Sequence, residues 1–329
     1  MLHLPAGGVS ALAPILNRSG PLPAESATQD APLAAGHIYT AVPDRHLLVA
    51  DSHVFLSRGP TENGHRPAVD ALFRTAAVNW RARTAGVVLS GTLDDGTAGL
   101  AAIRSRGGIT VVQDPDDALY RGMPESALAT IAVDHVLRAR DIGTALMKTF
   151  HEREREPPAR AAPLDTIEAR IVAGELPNYA AHVMATMTEP SGLTCPDCQG
   201  VLFTVEADRR FRCRFGHAWT AKALLAQQDA ELERALWTAL RALEEKRQLA
   251  ERMLGDAVAR GYDQLARRYG QNIDEVDGAV GVLRRLLLDG PFNHTARAIR
   301  RRPDLPVFFV SWRRRVSCPV RASRRSCTT

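Results

Sequence analysis

Apolar residues at Leu12, Ile15 and Leu16 recur at helical spacing in SALAPILNRSG (10–20), and the run stops at a glycine, which predicts a short helix. HIYTAVP and HLLVADSHVFL alternate apolar and polar positions around an Ala-Asp-Ser turn, the pattern of a small antiparallel hairpin. PAVDALFRTAAVNW (67–80) puts Leu72, Phe73, Ala76 and Ala77 on one helical face, with Pro67 in the first turn. Then follow AGVVLSG, a buried-type strand; DDGTAGLAAIRSRGG, a helix stopped by Gly-Gly; ITVVQD, a second buried strand; PESALATI, a short helix; and AVDHVL, a last strand. This order predicts a parallel α/β sheet over residues 1–145, whose ligands sit beyond the carboxyl ends of the strands. The loops just after strands are therefore where chemistry is expected.

The pattern breaks at HEREREPPARAAP (151–163), so residues 146–190 read as a linker. A compact segment is expected over 191–219 and a helical region over 220–290. There Leu232, Leu236, Ala239, Leu243, Ala250 and Met253 keep a four-three spacing interrupted by Lys246, and VGVLRRLLLDG (280–290) is the expected partner. Such a pair is suited to self-association.

Composition changes this picture in three ways. With 329 residues, 45% apolar and 24% charged, the chain is globular and long enough for more than one domain. No run approaches the roughly 18 to 20 apolar residues of a bilayer span, and nothing after Met1 resembles a signal peptide, so a cytoplasmic protein without membrane insertion is expected. The net charge of +5 has a local source, because residues 291–329 hold ten arginines and one acid, Asp304. That basic tail has no useful periodicity and reads as disordered; it is a weak basis for inferring nucleic-acid function.

Candidate chemistry falls in two places. VVLSGTLDDGTAGL puts two aspartates and a glycine directly after a buried strand, where an acid can orient an imidazole and stabilise the imidazolium. His3 ends what reads as another strand, LHL, so two strand ends could bring His3 Nδ1 to Asp95. The same residues also have plain readings: Asp-Asp-Gly suits a turn or helix cap, and a terminal histidine is commonly just solvated. The residues alone leave both open.

Four motifs in order bear on the choice. GHIYTAVPDRHLLV, GHRPAVDALFRTAA, LSGTLDDGTAGLAAI and GMPESAL resemble segments of the chemotaxis receptor methylesterases, the CheB-like family. The resemblance implies a doubly wound, mostly parallel sheet and hydrolysis of glutamyl methyl esters on methyl-accepting chemoreceptors by a Ser-His-Asp triad without a catalytic cofactor. It makes His3 the general base, Asp95 the orienting acid and Thr92 a source of a backbone N–H for the oxyanion. The family's serine lies upstream of this histidine in a Gly-Ala-Ser-x-Gly-Gly turn, so the domain is expected to be incomplete at its N-terminus and its nucleophile absent. Neither the turn nor the family's receiver domain is found in the sequence. Ser10 fits a helix cap better than a nucleophile elbow, and Ser90 a local hydrogen bond. A non-catalytic receptor-binding or regulatory protein is the alternative.

The second place is LTCPDCQGVLFTVEADRRFRCRFGHAW, where Cys195, Cys198, Cys213 and His217 form C-x₂-C and C-x₃-H pairs flanking a hairpin-like stretch. Four thiolate and imidazole ligands suit a structural Zn²⁺ in a ribbon-like module over 191–219, and the metal can supply folding energy that so small a core lacks. Phe203, Phe211, Phe215 and Trp219 are expected to form its mini-core. Arg209, Arg210, Arg212 and Arg214 make a zinc-ribbon nucleic-acid binder a further alternative, the disfavoured one.

Overall fold

The computed structural model describes residues 1–152, 163–175, 188–205 and 209–289. They form two compact units, one up to residue 231 and one from residue 232 on. The basic tail expected at 291–329 lies outside the described residues.

The first unit is built on a three-stranded parallel sheet, β6 (Ala85–Val88), β7 (Ile109–Gln113) and β8 (His135–Leu137), in that spatial order. All five residues of β7 are buried, Thr110 and Gln113 included, as suits a strand covered on both faces. On one face Val88 and Val112 pack with Leu100 of α3 (Thr97–Ser105) and with Met123 and Ala127 of α4 (Gly122–Thr130). On the other, Ile109 and Val111 pack with Ile142 of α5 (Ala139–Glu152). Alternate side chains of one strand thus feed two layers.

The preceding elements are α1 (Leu12–Ser19), a parallel pair of β1 (Ala24–Ser26) and β3 (Ile38–Thr40), and a sheet of β2 (Ala31–Pro32), β5 (His53–Ser57) and β4 (His46–Ala50). β4 and β5 form the expected antiparallel hairpin. α2 (Val69–Trp80) follows, two residues later than Pro67 suggested. Its first N–H groups, those of Val69 and Asp70, are given to the carboxylate of Asp95, which fixes where the helix starts. LHL is not a strand: residues 1–4 pair with none among the described residues, and Pro5 and a turn at Ala6–Gly7 follow at once.

Residues 163–173, expected within a linker, instead form α6 (Pro163–Ala173). Val172 joins Leu48, Ala68 and Ala71 in a shared core, and the Ser57 hydroxyl donates to the Val172 carbonyl at 2.6 Å. The linker reading failed because mixed charge was taken as solvated, whereas Glu168 is fully buried. The remainder of that stretch, 153–162 and 176–187, lies outside the described residues.

β9 (Pro190–Thr194), β10 (Val201–Thr204), β11 (Arg210–Cys213) and β12 (Ala218–Thr220) make a four-stranded antiparallel sheet. Its core is Cys195, Leu202, Phe211, Cys213 and Trp219, closed by Ala223 and Leu224. Phe215, expected inside, is 68% exposed because it rides the tight turn between Cys213 and His217.

α7 (Ala221–Ala259) begins in the first unit and continues into the second, where α8 (Asp263–Asp289) follows. The second unit's seam is Leu236, Leu240 and Leu243 against Val276, Val280, Leu283 and Leu287. Leu232 and Met253, expected in it, are 50% and 41% exposed. Over several turns a 3.6-residue helix drifts away from a strict 3.5 repeat, so Leu240 replaces Ala239 and Ala257 is buried where Met253 is not. Among the described residues no helix is long and apolar enough to cross a membrane.

Candidate active site

The acid loop follows β6 at the carboxyl edge of the parallel sheet. Gly91 N–H donates to the Tyr120 carbonyl at 3.0 Å, and Met123 N–H donates back to the Gly91 carbonyl at 2.8 Å, so the start of α4 is stitched to the loop. A Cβ at Gly122 would meet the Leu93 nitrogen at 2.9 Å, which explains glycine there. Ser90 accepts from Tyr120 N–H at 2.8 Å, and Ser10 accepts from Leu12 N–H at the start of α1 at 3.3 Å. Both serines have local backbone partners.

Asp95 is 3% exposed. Its Oδ2 accepts from Val69 N–H at 2.7 Å, and its Oδ1 from Asp70 N–H at 3.1 Å and Gly96 N–H at 2.9 Å. The carboxylate thus sits on the N-terminus of α2, where free amides and the helix dipole favour negative charge. His3 Nε2 lies 2.5 Å from Asp95 Oδ2. A carboxylate only accepts, so Nε2 is the donor, and in the neutral ring the lone pair is on Nδ1. The expected contact through Nδ1 is therefore corrected: the ring meets the acid by its other nitrogen. It does so from irregular backbone after Met1, free of any strand register, with its side chain 31% exposed. Among the described residues no hydroxyl is hydrogen-bonded to His3. Thr92 is exposed on the same loop, three residues before Asp95.

Two further groups close on this pair. His65, from the GHRP segment, stacks on His3 with ring centroids 4.3 Å apart and planes at 17°. Burial, and then the charge of His3, push its imidazole below the ordinary histidine range. Asp70 is buried beside Asp95 and accepts from Gly99 N–H at 2.6 Å; burial and the neighbouring Asp95 push it well above the ordinary carboxylate range. Sequence reasoning missed Asp70 because an acid in a helix's first turn ordinarily faces water. It missed His65 because that histidine lies in the loop before α2, well past the end of β5, where position gives no signal. His46 is a structural histidine: its Nδ1 accepts from Ala68 N–H at 3.3 Å and its Nε2 faces the Pro60 carbonyl at 3.0 Å.

The four candidate metal ligands converge. The Sγ atoms of Cys195, Cys198 and Cys213 and a ring nitrogen of His217 all lie within 4.8 Å of one another. Cys198 Sγ is 3.6 Å from Cys213 Sγ, and His217 Nδ1 is 3.8 Å from Cys195 Sγ and 3.4 Å from Cys213 Sγ. A tetrahedral ion with sulfur ligands at about 2.3 Å needs edges of about 3.8 Å. The donor set and its spacing fit such an ion. Without one, the hydrogen bond that the Cys195 thiol donates to Cys213, together with burial, pushes that thiol up to about 12.

The arginines of this module bear on its partner. Arg210 and Arg212 are buried, and Arg212 is 1% exposed. Both reach Glu168 Oε1 at 2.7 Å, Arg212 also reaches Glu62 Oε1 at 3.2 Å, and Arg74 of α2 reaches Glu62 at 2.8 Å and Glu168 at 3.3 Å. Two of the four arginines offered for nucleic acid are thus spent on joining α2, α6 and the four-stranded sheet. Burial works against the ionised form of Glu62, but Arg74 and Arg212 outweigh it and hold the carboxyl down at about 2. Burial is likewise overcome at Glu168, by Arg210, Arg74 and Arg212.

With this geometry in hand, comparison with known proteins is informative. Residues 1–146 match the profile of the family described as CheB methylesterase. A protein-glutamate methylesterase/protein-glutamine glutaminase from Geobacter metallireducens is 36% identical over 153 residues, 46% of this chain and 44% of that protein. One from Photorhabdus laumondii is 35% identical over 139 residues, 41% of this chain and 40% of that protein. The chain thus spans less than half the length of these two relatives. The Thermotoga maritima CheB methylesterase catalytic domain, a crystal structure, is 30% identical, with a TM-score of 0.42 over 44% of this chain and 79% of its own.

Proposed function

We propose that residues 1–146, a CheB methylesterase domain, belong to a protein-glutamate methylesterase that acts in the cytoplasm and hydrolyses glutamyl methyl esters on methyl-accepting chemoreceptors. The observation that carries this reading is the 2.5 Å contact between His3 Nε2 and a buried Asp95 bonded by three backbone amides. In it, Asp95 fixes the tautomer, so the lone pair on Nδ1 takes the proton of the attacking hydroxyl and later returns it to departing methanol. The backbone N–H of Thr92 faces the developing oxyanion. The attacking hydroxyl is that of the family's serine turn, which residues 1–329 do not contain. The decisive assay is therefore methanol release from methylated receptors by the longest product of the reading frame that includes these residues. His3→Ala is expected to lower release by about 10⁴- to 10⁶-fold, as loss of a triad base does. Release indifferent to that change would overturn the reading. If instead no product of the frame releases methanol yet the chain binds receptors, the regulatory alternative stands.

The same proposal assigns Cys195, Cys198, Cys213 and His217 to one structural Zn²⁺. All four positions are filled by protein, which suits a site that holds the ribbon together and leaves none open for a reacting water. Bound zinc would stabilise the three thiolates as a cation. The residues of the chain do the rest: the C-x₂-C and C-x₃-H turns orient the donors, and Leu202, Phe211 and Trp219 exclude water around them.

A further inference from the structure

The ribbon is docked on the two loops that make the His3–Asp95 site. Its edge strand β12 pairs with the loop before α2: Ala218 N–H donates to the Thr61 carbonyl at 3.1 Å, and Asn63 N–H to the Ala218 carbonyl at 2.7 Å. Thr220 N–H donates to Asn63 Oδ1 at 2.8 Å. That loop runs on to His65, the ring stacked on His3. The ribbon and the first turn of α7 that follows it also grip the acid loop. Thr220 Oγ1 donates to Asp94 Oδ1 at 2.9 Å, and Lys222 Nζ donates to the Leu93 carbonyl at 3.3 Å and to Ser126 Oγ at 2.8 Å. The Ser126 hydroxyl in turn donates to the Leu93 carbonyl at 3.0 Å. The side chain of Leu93 packs on the ribbon core.

These contacts fall where the acid loop most needs holding. Leu93 has φ = 60°, a left-handed conformation that a leucine does not adopt by preference. Asp94 and Asp95 are adjacent acids, so the loop would relieve their repulsion by turning one outward. Burial pushes the Asp94 carboxyl up, while the Thr220 hydroxyl and the Lys222 ammonium oppose this. Thr220 stands three residues after His217, on the strand that starts at the residue following this last candidate metal ligand.

We propose that Thr220 and Lys222 are positioning residues for the His3–Asp95 pair, and that the folded ribbon serves as the clamp setting the acid loop. Metal loading of Cys195, Cys198, Cys213 and His217 thereby governs the geometry of the pair. The inference rests on the zinc reading for its metal dependence alone; the clamp itself stands on the contacts above.

The test uses the full chain labelled with ¹⁵N-histidine. The His3 Nε2–H proton, held between imidazole and carboxylate, gives a downfield resonance assigned by its loss in His3→Gln. In zinc-loaded Thr220→Val, that resonance is expected to exchange with water about fivefold to tenfold faster, the effect of one lost hydrogen bond, with metal content unchanged. Thr220→Ser, which keeps the hydroxyl, should restore the wild-type rate. Thr220 also accepts from Ala223 N–H at the start of α7, so Lys222→Met, an exposed position, is the second variant and should shift the exchange in the same direction. Zinc removal with a chelator should broaden or abolish the resonance. Unchanged exchange in Lys222→Met and in folded Thr220→Val would overturn the clamp. A chain that binds no zinc but responds to both substitutions would overturn the metal dependence and leave the clamp supported.

Discussion

The acid loop and the interface of the four-stranded sheet both bury carboxylates, and they treat them in opposite ways. At the interface Glu62 and Glu168 are bonded to Arg74, Arg210 and Arg212, and ion pairing overcomes burial so that both acids stay ionised. At the acid loop Asp70 and Asp95 lie side by side, and among the described residues neither is bonded to an arginine. Asp95 is held by backbone amides and a part-exposed imidazole, and Asp70 is pushed up by burial and by Asp95. A network saturated by guanidinium groups locks parts together and has little charge left to act on anything else. A carboxylate held by amides keeps its charge available to an imidazole. Buried charge alone therefore does not mark an active site; the nature of its partners does.

Breaking the saturated cluster gives the largest effect. Glu168→Gln removes the carboxylate that Arg74, Arg210 and Arg212 share and leaves Glu62 to face two of these crowded guanidinium groups, which is expected to cost about 3–5 kcal/mol in urea unfolding of the full chain. A loss below about 1 kcal/mol would mean that water reaches these groups, as it does at an ordinary surface pair.

Acid should expose the same contrast with a smaller effect per group. The folded-state affinities of Glu62 and Glu168 for protons are depressed below the ordinary 4.5, so the unfolded chain binds more protons as pH falls. Their contribution is fully present above about pH 4.5 and is lost as pH falls towards about 2. Denaturant midpoints measured from pH 6 to pH 2.5 should fall in that window, and Glu62→Gln should flatten the fall. An unchanged slope in Glu62→Gln would remove Glu62 as its source.

The contrast also explains what the sequence could and could not reveal. The parallel core was legible because AGVV and ITVVQ are short, mostly apolar runs rich in β-branched residues, and the loop after the first marked a candidate site through its position. The four metal-ligand candidates were legible because short C-x₂-C and C-x₃-H spacings are local. The network was not. Glu62, Arg74, Glu168 and Arg212 are scattered over 150 residues, and a lone Glu or Arg in a mixed stretch reads as solvated. α6 was lost for the same reason: its charge concealed an interface. The nitrogen through which His3 meets Asp95 depends on the course of an irregular N-terminal segment, which no periodicity encodes.

The finest test addresses the unsaturated cluster. Because the folded state keeps a proton on Asp70 well above the ordinary 3.8, it binds more protons than the unfolded chain above that pH. The contribution of Asp70 is therefore fully present below about 3.8 and is lost as pH rises through its folded value, the reverse of the Glu62 case. Asp70→Asn supplies a neutral group that still accepts from Gly99 N–H and no longer repels Asp95. The variant should be as stable as the parent at pH 7, or more stable by up to about 1 kcal/mol, and should lose that advantage by pH 4. Paired urea curves at the two pH values measure the difference directly. A loss of about 2 kcal/mol or more at pH 7 would instead mean that Asp70 is ionised there and paired electrostatically with Arg74. The two clusters would then be one continuous network, and the partners of Asp95 would no longer set it apart from Glu62.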